Sequence, residues 1–134
     1  MIVSDTNLLS YFWLESNFAD LANLVHEKDS FWIAPMLWKS EFRNVLTIYL
    51  RREIYTYEQI LTAMNSAEEM MEGSTYQSNS DIVLELVSQS TCSAYDCEFV
   101  ALAKELGIPL LTFDKKVLKE FPTIAIHPEE FLRN

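Results

Sequence analysis

Glycine is almost missing from this chain: Gly73 and Gly107 are the only two in 134 residues, and no linker, repeat or low-complexity block divides it. One domain is therefore expected, spanning residues 1–134. Cysteine is as scarce. Cys92 and Cys97 have neither the spacing of a zinc motif nor the density of a disulfide-stapled secreted scaffold, so they read as reduced thiols and point to the cytoplasm. No apolar run approaches the roughly 18 residues a membrane span needs. The opening Met1-Ile2-Val3-Ser4-Asp5 shows neither a basic leader segment nor a small-residue cleavage site, so no membrane association is expected. Basic residues are also in short supply. Ten Lys and Arg stand against twenty Asp and Glu, and the resulting formal charge of −10 repels polyanions at long range. Such an excess serves solubility, or it marks carboxylates that converge and are neutralised by bound cations; composition does not choose between these.

What is present is a globular composition, 49% apolar and 22% charged, sufficient for one buried core. Ile2-Val3 predicts a short strand, and Asp5 or Thr6 can cap a following helix whose apolar residues include Leu8, Leu9 and Phe12. Phe18, Leu21, Leu24 and Val25 recur at helical spacing, and Phe31-Trp32-Ile33-Ala34 reads as a second strand. Pro35 suits the first turn of a helix running to about Arg52, with Leu37, Trp38, Phe42, Val45, Leu46 and Tyr49 as its apolar stripe. Further helices are expected over Tyr57 to Met71 and Asp81 to Gln89, with a short irregular strand between Gly73 and Ser80. Ser93-Ala94-Tyr95-Asp96 resembles a capping box with Asp in place of Glu, opening a helix that ends at Gly107. Leu110-Leu111-Thr112-Phe113 then predicts a strand, Lys115 to Glu120 a short helix, and Ile124-Ala125-Ile126 a last strand. Strands apolar throughout and separated by helices call for a parallel sheet buried on both faces, an α/β fold. Asp5 and Asp114 each directly follow such a strand, where ligands of open α/β sheets bind.

Two further carboxylates stand where carboxylates are costly. Glu41 lies four residues after Leu37 and four before Val45, in or beside the apolar stripe; Asp96 precedes Phe99, Val100 and Ala103 on the face that should meet the sheet. Neither has a Lys or Arg one turn away on that face, since Lys39, Arg43 and Lys104 project elsewhere. A buried carboxylate must be paired, protonated or bound to a metal. Taken singly, Asp5 is explained as an N-cap, Asp96 as a capping-box acid and Asp114 as a turn residue. Taken together, the four form a candidate cluster of hard oxygen ligands for magnesium or manganese.

In order and context these segments resemble the PIN domain, especially the small VapC-like toxin nucleases. Ile2-Val3-Ser4-Asp5-Thr6-Asn7-Leu8-Leu9 looks like the opening strand and first acid of that family, and Ser40-Glu41-Phe42-Arg43-Asn44-Val45-Leu46 like the helix bearing its glutamate. Tyr95-Asp96, the helix to Leu106 and Gly107-Ile108-Pro109-Leu110-Leu111-Thr112-Phe113-Asp114 look like the third acid, connecting strand and fourth acid. The resemblance implies a central parallel sheet with helices on both sides, metal-dependent cleavage of RNA, a homodimer, and the toxin role of a type II toxin–antitoxin pair with an antitoxin partner.

On this view Asp5, Asp96 and Asp114 would ligate the cation, Glu41 would join directly or through water, and Asn7 and Thr112 would orient ligands. Lys115, Lys116 and Lys119 past Asp114, and Lys39, Arg43, Arg51 and Arg52 along the Glu41 helix, are candidate phosphate contacts, or else ordinary solvated faces. Trp13, Trp32 and Trp38 could stack bases but at these spacings are expected in the core, and His26 and His127 fit no metal or acid–base pattern. A PIN nuclease of RNA maturation, working without an antitoxin, would present the same residues. A receiver-type, magnesium-binding phosphoacceptor module expects an acidic pair after the first strand and a lysine after the last; Asp5 stands alone, and Ile124-Ala125-Ile126-His127 offers no lysine. A haloacid dehalogenase-type phosphatase needs a second aspartate that Asp5-Thr6-Asn7 lacks.

Overall fold

A computed structural model describes residues 1–134. Its centre is β1 (Ile2–Ser4), buried along its whole length. β2 (Trp32–Pro35) pairs with one edge of β1 and β4 (Leu110–Leu111) with the other; β3 (Thr75–Tyr76) extends the sheet beyond β2 and β5 (Ala125–Ile126) beyond β4. All pairings are parallel, in the order β3-β2-β1-β4-β5. The chain winds outward from β1 to one side, then returns to the other side through β4, so the sheet has its topological switch point between β1 and β4.

Helices α1 (Thr6–Trp13), α2 (Ala19–Lys28), α3 (Leu37–Arg51) and α4 (Tyr57–Met70) pack among themselves, joined by α8 (Pro128–Arg133) against α2. A second group consists of α5 (Ser80–Ser88) and α6 (Ala94–Leu106), with α6 lying against β1, β2 and β4. The short α7 (Lys115–Glu120) packs beside β5. Helices thus flank the sheet as the sequence led one to expect, and no helix is long and apolar enough to cross a membrane.

The core draws on both helix groups. From α3 it takes Trp38, Phe42 and Leu46, spaced by four; from α6 it takes Cys97, Phe99, Val100, Ala101, Leu102 and Ala103. Truncating Phe42, fully buried, to alanine would remove about 3–5 kcal/mol. Trp32 and Trp38 are core residues whose indole N–H groups donate to the Asp29 carbonyl and the Thr75 hydroxyl at 2.7 and 2.9 Å, so neither is free to stack on a base. Trp13, partly buried, packs edge-on against Phe12. Both cysteines are free and buried, and burial pushes their thiols up, which leaves them as inert apolar filling.

Three local expectations need correction. Pro35 belongs to β2 rather than to a helix: it pairs with Tyr76 while the flanking Ala34 and Met36 amides donate to β3, so the N–H it lacks would face β1, past the last paired residue there, and α3 starts two residues later. Phe113 lies outside β4, because its amide turns away from the ladder to a side chain. Of the expected capping box at α6 only the forward half forms, the Ser93 hydroxyl accepting from the Asp96 amide at 3.1 Å. Helix α6 then ends in a Schellman motif: Gly107 is left-handed at φ 66°, with Ile108 N–H donating to Ala103 C=O and Gly107 N–H to Lys104 C=O.

Candidate active site

Asp5 leaves β1 as the N-cap of α1. Its Oδ1 accepts from the Leu8 amide at 2.7 Å, while its Oδ2 accepts from the Phe113 amide of the β4 side at 3.2 Å. One carboxylate therefore bridges the switch point. Burial raises its pKa from 3.8 to about 6, the Glu41 charge adds to this, and hydrogen bonds from the two amides and the Thr112 hydroxyl pull the other way.

Glu41 comes from α3, on the edge of the apolar stripe, and its Oε1 accepts from the Thr6 hydroxyl at 2.7 Å. Desolvation raises its pKa, the Thr6 bond opposes this, and the charges of Asp96 and Glu98 raise it further. Asp96 sits half-buried in the first turn of α6. Asp114 is the exposed N-cap of α7, accepting from the Val117 amide at 3.0 Å, while its own amide donates to the buried Thr112 hydroxyl at 3.0 Å.

These four acids, with Thr6, Asn7, Thr112, Phe99, Leu110 and Val117, line one cavity of about 100 Å³. Every acid and both candidate supporting residues named from sequence lie there. None of the four is ion-paired: the only salt bridges join the N-terminal amine to Asp29 and Lys39 to Glu68. No three of the acids are gathered closely enough to hold an ion among them. Each of Asp5, Glu41 and Asp114 is held by a nearby amide or hydroxyl.

The candidate phosphate contacts are more scattered. Arg43 and Lys115 are exposed. Lys39 is drawn to Glu68 at 3.2 Å, beside a different hollow, and Lys116 donates to the Thr91 carbonyl at 3.2 Å. Sequence reasoning missed two participants. Thr6 was read only as a possible cap, although a hydroxyl directly after a strand-end acid is placed to donate across the site. Glu98 bears on Glu41 from α6, yet two residues after Asp96 it falls on another side of that helix, so no spacing rule joins it to the cluster.

The PIN domain family model matches residues 2–123. The chain belongs to the PIN domain family. PIN domains are generally nucleases, so membership supports a hydrolase acting on nucleic acid. No curated protein matches this PIN domain by sequence. Among solved structures it is similar to FitAcB from Neisseria gonorrhoeae, with a TM-score of 0.76 at 15% identity over 96% of this chain and 99% of that one. It is also similar to PAE2754 from Pyrobaculum aerophilum, with a TM-score of 0.71 at 16% identity over 98% of this chain and 93% of that one. At such identity the likeness is one of fold.

Proposed function

We propose that this PIN domain is a magnesium- or manganese-dependent endoribonuclease, and the toxin of a type II toxin–antitoxin pair. The observation that carries the nuclease reading is the cavity at the sheet's switch point, lined by four carboxylates from four segments and by no lysine or arginine. Such a donor set suits a hard divalent cation: all ligands are oxygens, burial makes charge costly on Asp5 and Glu41, and no lysine or arginine lines the pocket to offset it. Asp5, Asp96 and Asp114 would hold the ion, with Glu41 joining directly or through a water. Such an ion, when bound, supplies an acidified water and neutralises charge on a phosphodiester.

The protein's own groups do the positioning. Thr6 fixes Glu41 at the cavity wall, and Thr112 fixes the backbone from which Asp114 projects. Asn7, exposed in the first turn of α1, can orient water or a phosphate oxygen. Arg43 and Lys115, with Lys39 and Lys116 in their looser engagements, would meet RNA phosphates and offset locally a net charge of −10. The toxin role is supported by the resemblance of the chain to the VapC-like members of the family. It implies a small antitoxin laid across the cavity, with a basic side chain toward the carboxylates, and a homodimer in the cytoplasm.

The test incubates purified protein with a mixed RNA pool in magnesium or manganese, beside an EDTA control and Asp96→Asn. Cleavage that vanishes in both controls is expected; cleavage by the variant at the wild-type rate would overturn the assignment. The companion expectation is a short upstream reading frame whose product suppresses that cleavage. Without it the nuclease stands and the toxin role falls.

A further inference from the structure

We infer that the groove adjoining the acid cavity is a subsite for one unpaired nucleobase of the RNA, with Tyr95 as its stacking surface and Asn44 as the group that reads the base edge. This deepens the ribonuclease reading above and rests on it. The acid cavity, at about 100 Å³, has room for a handful of waters or the oxygens of a phosphate, not for a nucleoside. A nucleotide whose phosphate sits there must place its base alongside. The space alongside is a groove of about 390 Å³, within the range of small-ligand pockets, which shares Thr6, Asn7 and Glu41 with the cavity.

What the groove adds suits a base and not a phosphate. Leu37, Ser40, Asn44 and Val45 come from one face of α3, at the spacing of three and four that also carries Glu41, and Tyr95 comes from α6 next to Asp96. No cation lines it, and Glu41 at the shared border is its only charge. The side-chain amides of Asn7 and Asn44 and the hydroxyls of Ser40 and Tyr95 make no hydrogen bond within the protein, so their donors and acceptors remain open to a ligand. Tyr95 is 64% exposed, more than any other large hydrophobic side chain of the chain. An exposed aromatic ring beside convergent uncharged amides is the chemistry with which proteins hold single-stranded bases: stacking for affinity, amide pairing for choice. Because that chemistry needs no positive charge, it also explains how so acidic a protein can retain RNA.

The experiment takes the preferred single-stranded RNA from the cleavage pool and compares wild type, Tyr95→Ala, Tyr95→Phe and Asn44→Ala. Tyr95→Ala is expected to raise KM on the order of tenfold, with kcat nearly kept, and Tyr95→Phe to restore the wild-type KM. Asn44→Ala should flatten the base preference at one position next to the cut. Both residues are exposed, so urea midpoints should match the wild type. Unchanged KM and base preference, with the wild type cutting, would overturn the subsite and leave the nuclease intact. Failure of the wild type to cut any RNA would overturn the nuclease reading itself. Dissociation of a dimer by Tyr95→Ala in sedimentation, with kcat and KM both impaired, would assign Tyr95 to a subunit contact and overturn the subsite.

Discussion

Asp5 carries two duties that conflict. As an N-cap it ties α1 to β1 and, through the Phe113 amide, to the β4 side; as a desolvated carboxylate it opposes folding whenever it is charged. Its pKa near 6 in the folded protein lies above the 3.8 of the unfolded chain, so the folded state binds the proton more tightly. The stability this contributes is fully present below about pH 4 and is lost as pH rises through 6, up to about 3 kcal/mol in all. Glu41, also raised, acts in the same direction; Asp29, lowered by its hydrogen bonds to the N-terminal amine and the Phe31 amide, acts in the opposite one. Asp5→Asn keeps one capping bond and removes the titration. Urea melts without divalent ions should therefore show the variant gaining on the wild type by up to about 3 kcal/mol between pH 4 and 7. A difference independent of pH would show that Asp5 does not titrate in that window.

Helix ends set the next scale, and two of them use one device with different residues. Helix α3 ends as α6 does, with Ile54 N–H donating to Tyr49 C=O and Glu53 N–H to Leu50 C=O, but the left-handed position is filled by Glu53 at φ 57°. A side chain there costs about 1 kcal/mol relative to glycine. Glu53→Gly is expected to stabilise the protein by about that amount and Gly107→Ala to destabilise it by as much, both read from urea midpoints; a destabilising Glu53→Gly would exclude backbone strain at that turn. The glycine at 107 was legible because the residue advertises the motif, and Glu53 was not. The same contrast runs through the fold. Strand-end acids, the α3 stripe and the short α7 followed from pattern and spacing. Strands as short as Leu110–Leu111 have too few residues for their ends to be read, since the ladder stops where Phe113 finds a side-chain acceptor 108 residues away. Helix α8 was missed although its signals are local: His127 accepts from the Glu129 amide as N-cap, Pro128 occupies the first turn, and two glutamates follow. At the site, the four acids could be named from sequence, but the repulsion of Glu41 by Glu98 depends on how α6 settles against the sheet.

At the scale of the whole molecule, the charge of −10 makes this PIN domain an unusual candidate for an RNA enzyme. Proteins that bind nucleic acid through cationic surfaces lose affinity steeply with added salt. Here long-range repulsion opposes the encounter and a groove without cations would hold the substrate, so modest monovalent salt should first raise kcat/KM at fixed divalent concentration by screening that repulsion. A monotonic fall from the lowest salt would instead reveal a local cationic surface that dominates binding. The winding of the sheet bears on when the acid cavity can be assembled. β1 is made first, but its partner β4 comes 107 residues later and Phe113, whose amide meets the Asp5 carboxylate, 108 residues after it. During translation a nascent chain therefore carries Asp5 and Glu41 without Asp114, and no closed cavity can form until that last acid has left the ribosome. The acid cavity is thus assembled by the folding of β4 and α7 onto β1, late in the synthesis of the chain.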